Sequence, residues 1–147
     1  MQYNGLQSDF NSLAKFVFIY ETMINKRMNK ENDFLQLSSK AFYLFKHKLQ
    51  PNMKFATVKE IENLPEQAKQ TLFFTKQKVQ IIDFCRHLRN SFSHGLLKKE
   101  NNRIIISDIG RGNCTSKGFL EYRIVIEFVI EIVREYENTN KSKKQNT

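Results

Sequence analysis

The sequence predicts a mainly α fold: a helical bundle of four to five helices with a short β or loop insert before the last helix. Three observations carry this expectation. Apolar residues recur at three- and four-residue steps through most of the chain, the period of a helix with one buried face. Only five Gly and two Pro interrupt 147 residues, so long helices are permitted. One short β-branched run, RIIISDIG from Arg103 to Gly110, lies before the last helix and reads as a strand or an extended arm.

The elements follow in order. Phe10, Leu13, Phe16, Val17, Tyr20 and Ile24 mark an amphipathic helix over Asp9 to Met28, with Ser8 or Asp9 as N-cap. A second helix is expected from Asn32 or Asp33 to Leu49, with Phe34, Leu37, Ala41, Leu44 and Phe45 on one side and Pro51 as its stop. A short helix fits between Thr57 and Leu64. Pro65 is then expected to open the longest helix, because proline is tolerated in a first turn. That helix continues through Phe73, Val79, Ile81 and Leu88 to His94, with Gly95 as its left-handed cap. Gly110 to Gly118 holds three glycines and reads as a loop. The final helix is expected over Lys117 to Glu137; its many β-branched residues keep a strand reading open, but the spacing of Arg123, Glu127, Glu131 and Arg134 favours helix. Residues 1–137 make one domain, and 138–147 read as a disordered basic tail.

Forty per cent hydrophobic residues, with thirteen Phe and five Tyr, suit a folded core and argue against intrinsic disorder. The formal net charge of +9 favours a polyanionic partner, either nucleic acid or an anionic membrane face. Two cysteines, Cys85 and Cys114, are too few for a disulfide framework and suggest free thiols in a reducing compartment. The amino-terminal residues lack the basic-then-apolar pattern of a secretory leader. No segment approaches the roughly 18 consecutive apolar residues of a membrane span. A cytoplasmic location is the expectation. Three scattered histidines and two distant cysteines have no zinc spacing, and neither phosphate-cradling glycine loops nor a nucleophile elbow occur. No metal or cofactor is expected.

The chemically informative stretch is Ile81 to Gly95, IIDFCRHLRNSFSHG. On a helix, Phe74, Ile81, Cys85, Leu88 and Phe92 form a narrow core stripe. Arg89, Ser93, Arg86, Asn90, His94 and His87 spread over about 80° to 240° from Ile81, away from that stripe. Asn90 and His94 are four residues apart, so the amide is expected to orient the imidazole, and Arg89 and Ser93 are neighbours in the same way.

Arg89-Asn90-Ser91-Phe92-Ser93-His94 resembles the R-x4-6-H motif of the HEPN superfamily, with Asn90 as the polar residue that often follows the arginine. The resemblance extends over roughly residues 10–137, and these six positions carry its specific part. It implies a metal-independent endoribonuclease of toxin or phage-defence type that works as a homodimer on RNA, most naturally single-stranded. It further implies His94 as the acid–base residue, Arg89 as the holder of the scissile phosphate and Asn90 as an orienting or phosphate-binding group. Arg86, His87, Ser93, Lys98 and Lys99 are the candidates for contacting the RNA backbone. An antitoxin or a separate nucleotidyltransferase is a possible protein partner. The other reading is an HEPN-like module that binds RNA, a nucleotide or a protein without cutting.

Overall fold

The alternation in Arg103 to Gly110 seeds a whole sheet. In a computed structural model describing residues 4–66 and 69–145, five strands are ordered β1-β2-β5-β4-β3. They are β1 (Met53–Phe55), β2 (Thr71–Phe74), β3 (Lys98–Glu100), β4 (Arg103–Gly110) and β5 (Asn113–Glu121). β1 and β2 run parallel, and every other pairing is antiparallel. The helical segments are α1 (Phe10–Ile19), α2 (Asn25–Arg27), α3 (Glu31–Leu37), α4 (Ser39–Leu44), α5 (Val58–Glu62), α6 (Gln80–Ser93) and α7 (Tyr122–Gln145). The expectation of a mainly α bundle is therefore corrected: the fold is α/β, with a mixed sheet packed beside the helices.

Two local misreadings produced that error. Pro65 does not open a helix. Thr71 to Phe74 is aromatic and β-branched, and Leu72 and Phe74 are fully buried between β1 and β5. The helix begins only at Gln80, after the backbone N–H groups of Gln77 and Lys78 have donated to the Asp83 carboxylate at 2.9 and 3.1 Å. Gly110 to Gly118 is not a loop either. Arg111 and Gly112 both have positive φ, at 53° and 79°, the geometry of a two-residue hairpin turn. Gly118 lies within β5 because a Cβ there would sit 2.1 Å from the Thr71 carbonyl oxygen. This glycine permits close strand approach and does not mark a break.

The other helices follow their sequence signals more closely. The first rod continues from α1 through a wide turn at Tyr20–Ile24, where the Asn25 N–H bonds back to the Tyr20 carbonyl. The second rod is interrupted at Ser38, which is extended (φ −155°) and caps α4 by accepting from the Ala41 N–H at 3.1 Å. Thr57 and Glu60 form a reciprocal capping box on α5, satisfying N–H groups that a helix start leaves free. α7 starts only at Tyr122, since the residues before it belong to β5, and its backbone runs on to Gln145. No Gly or Pro lies beyond Glu137 to stop it. Of the expected basic tail, residues 146–147 fall outside the described residues.

The core sits between the helices and one face of the sheet. Phe34, Phe45, Phe84 and Phe128 are fully buried and meet ring to ring at centroid distances of 5.5 to 6.2 Å. Ile104, Ile106 and Leu120 supply the sheet side. α6 is thus flanked by helices on its apolar stripe and by β4 on what the helical wheel takes for its wet side.

Candidate functional site

Four-residue steps on α6 put Asp83, His87 and Ser91 in one row, and that row is buried. It faces the sheet and the chain leading from β2. Ser91 Oγ accepts from the Ser107 N–H of β4 at 3.2 Å. His87 is fully buried, its Nδ1 2.8 Å from Asp108 Oδ2 and its Nε2 3.4 Å from the Thr75 carbonyl oxygen. The expectation that His87 contacts RNA from an exposed face is therefore not met in this conformation, because β4 covers that side of the helix.

Asp108 reaches α6 from a β-bulge. The register between β4 and β5 shifts between Asp108 and Ile109, an irregularity that re-aims side chains. One carboxylate oxygen, Oδ2, takes both the His87 contact and a hydrogen bond from Asn90 Nδ2 at 3.0 Å. Burial pushes the Asp108 carboxyl up, but hydrogen bonds from the His87 and Asn90 side chains outweigh it and hold the group below its ordinary range.

The chain of contacts continues outward. Asn90 Oδ1 accepts from Arg89 Nη1 at 2.9 Å. Arg89 Nε donates to Glu21 Oε1 at 3.1 Å, and Arg89 Nη2 pairs with the same oxygen. Glu21 stands in the wide helical turn at Tyr20–Ile24, a kind of insertion often found at functional positions. The ion pair is open to water, with Arg89 27% and Glu21 49% exposed.

The expected local pairs of Asn90 with His94 and of Arg89 with Ser93 do not form; Asp108 and Glu21 take those roles. Ser93 and His94 are both exposed. His94 closes α6 with φ −91° and ψ 5°, and its imidazole has no hydrogen-bond partner among the described residues. Gly95, at φ +72°, turns the chain back so that the N–H groups of Leu96 and Leu97 bond the Ser91 carbonyl at 2.8 and 3.0 Å. Asn4 Nδ2 ties the same corner through the carbonyls of Gly95 and Leu97. The backbone carrying His94 is held from several sides while its ring is free.

Arg86 turns inward. Its Nη2 lies 3.4 Å from both the Thr75 carbonyl and Asp83 Oδ1, and its buried Nε has no hydrogen-bond partner among the described residues. Lys98 and Lys99 are exposed on β3 beyond the helix end, Lys98 near Glu100 at 3.5 Å and Lys99 with its ammonium 4.5 Å from the Tyr122 ring centroid. Of the candidates, Ser93, His94, Lys98 and Lys99 are exposed, Arg86, Arg89 and Asn90 are half-buried, and His87 alone is buried.

Sequence reasoning missed Asp108 and Glu21. A signal for the first was present: Ile104, Ile106 and Asp108 share strand parity, so an acidic side chain on the inward face calls for a buried partner. Glu21 had no such signal, because its meeting with Arg89 depends on how α1 crosses α6. Among the described residues no cluster of three or more His, Cys, Asp or Glu is placed to hold a metal ion, and no helix is long and apolar enough to cross a membrane. Cys85 is buried and Cys114 half-buried, both as free thiols. No family model matches the chain, and neither does any curated protein or solved structure.

Proposed function

We propose that the chain is a metal-independent endoribonuclease of toxin or phage-defence type, cutting single-stranded RNA at a cleft formed by two copies of the α6 end. The observation that carries this reading is the accessible, unpartnered imidazole of His94 on a braced corner, one turn beyond the linked Arg89 and Asn90. The activity and its context come from the resemblance of Arg89 to His94 to the HEPN motif; the chemistry follows from the side chains.

His94 of one copy takes the proton from a ribose 2′-hydroxyl, and the freed oxygen attacks the adjacent phosphorus. The bond from phosphorus to the 5′-oxygen breaks, and the protonated His94 of the second copy gives that oxygen its proton. The products are a 2′,3′-cyclic phosphate and a 5′-hydroxyl. Arg89, a fixed fork of donors with permanent charge, stabilises the charge that builds on the phosphate oxygens. A phosphate reaching Arg89 exchanges with the Glu21 carboxylate, at a cost of less than about 1 kcal/mol for an exposed pair. Lys98 and Lys99 draw the strand in electrostatically. The need for a 2′-hydroxyl restricts cutting to RNA.

One observation favours a second reading. Glu21 already neutralises Arg89, which suits an HEPN-like module that holds RNA, a nucleotide or a protein without cutting. The two readings separate in one assay. Purified protein with single-stranded RNA in EDTA should give cleavage products, and Arg89→Ala or His94→Ala should abolish them. Retention of RNA with no product supports the binding module, and cutting that survives both substitutions removes the nuclease reading.

A further inference from the structure

We infer that Asp108 and His87 act together as a buried positioning pair, fixing the amide of Asn90 and, through it, the guanidinium of Arg89. The inference rests on the reading of Arg89 as the phosphate-holding group, but its geometry stands independently. Asp108 Oδ2 takes the contact from His87 Nδ1 at 2.8 Å and the donor of Asn90 at 3.0 Å, and Asn90 Oδ1 takes Arg89 Nη1 at 2.9 Å.

The chain has only one direction. An ionised carboxylate accepts hydrogen bonds and cannot donate, and a guanidinium donates and cannot accept. An amide between them must therefore turn its NH2 to Asp108 and its oxygen to Arg89. If the amide were reversed, oxygen would face oxygen at one end and donor would face donor at the other. Asp108 thus sets which way Asn90 points without approaching the phosphate itself.

His87 holds the other end. Its Nδ1–H donates to the Asp108 carboxylate at the bulge in β4, 2.8 Å away, and Nε2 lies 3.4 Å from the Thr75 carbonyl oxygen of the chain leaving β2. The ring also lies 5.6 Å from the Phe74 ring, so a packing role has to be separated from the hydrogen-bonding one. Glu21 contacts the outer side of Arg89 and is half exposed, so it can yield to a phosphate while the inner contact from Asn90 remains. On this account the buried pair leaves Arg89 aimed when Glu21 is displaced.

The test uses the full chain and two readouts. The first is kcat and KM on single-stranded RNA in EDTA. The second is the Arg89 guanidinium signal in nitrogen-resolved NMR, assigned by its loss in Arg89→Lys. Asp108→Asn should lower kcat by about 100-fold, as expected for a misaimed catalytic group, with KM within about threefold, and it should broaden or shift the Arg89 signal. A pair of variants at position 87 separates the roles even where Asp108→Asn does not fold. His87→Asn keeps a donor near the Nδ1 position, facing Asp108, whereas His87→Gln moves the donor to the Nε2 position. Positioning predicts that the Asn variant retains the Arg89 signal and most of kcat while the Gln variant loses both. A packing role predicts the reverse, since Asn leaves the larger void beside Phe74, and that result overturns the proposal. If the wild-type protein does not cut RNA, the nuclease reading fails, and the NMR signal alone decides the positioning chain. An Arg89 signal unchanged in folded Asp108→Asn overturns it.

Discussion

Two histidines on one helix, His87 and His94, have opposite fates. They lie about two turns apart on α6, and the sequence gives both a place on the same polar side. His87 is fully buried against the sheet with acceptors at both ring nitrogens. His94 stands at the end of the helix, exposed and without a hydrogen-bond partner. The difference lies in β4, which runs beside the middle of α6 and leaves its end uncovered. An imidazole locked between two oxygens organises its neighbours, whereas one open to water can exchange protons with a substrate.

The comparison is sharpened most strongly by exchanging the readouts. His94→Ala should cut RNA cleavage by about 100- to 10,000-fold, the usual contribution of a positioned acid or base, while changing stability by less than about 0.5 kcal/mol. Thermal unfolding and initial rates on the same preparations check both halves. His87→Leu should do the converse at the level of folding. Removing the donor to Asp108 leaves a buried acceptor short of a partner, at a cost of about 2 to 3 kcal/mol, measurable by urea unfolding.

A smaller effect concerns acid. The Asp108 carboxyl is held below its ordinary value because hydrogen bonds from His87 and Asn90 outweigh its burial. Its stabilisation is therefore present above the unfolded value of about 3.9 and is lost as pH falls through the folded-state value. Unfolding midpoints of the wild type should drop more steeply than those of Asp108→Asn as pH is lowered from 5 to 3. Equal slopes would place the acid sensitivity elsewhere. The smallest change is expected at Glu21. Because its pair with Arg89 is open to water, Glu21→Gln should cost less than about 1 kcal/mol of stability and tighten RNA retention by no more than about fivefold.

How much of this was legible in the sequence depended on the length of each element and on where its partners lie. The apolar stripe of α1, the run ending at His94 and the strand from Arg103 to Gly110 all span enough residues for their period to show. Phe34 and Phe45 were legible as core because they recur on one helical face, whereas Phe84 fell outside the stripe drawn through Ile81, Cys85, Leu88 and Phe92 and is nonetheless fully buried. Thr71 to Phe74 and Met53 to Phe55 were not, since three or four residues cannot establish a period and their pairing partners are distant in sequence. Gly118 misled because a glycine demanded by close strand approach looks, in a sequence, like one demanded by a turn. Those missed strands decided the fold class, because together with β3 and β5 they join the single legible strand β4 in a five-stranded sheet. They also decided the site. A helical wheel knows one apolar stripe and assigns the remainder to water, so it could not anticipate β4 covering His87. Arg89, Asn90 and His94 could be named from spacing alone, whereas their contacts with Glu21 and Asp108 came from tertiary packing.

The most direct test of the division between the two histidines is carbethoxylation followed residue by residue with mass spectrometry while RNA cutting is monitored. His94 should react readily and activity should fall in step with it, while His87 stays unmodified as long as the protein is folded; exposed His47 should react without a matching loss. Full modification of His94 with cutting intact, or modification of His87 in the folded protein, would contradict the account.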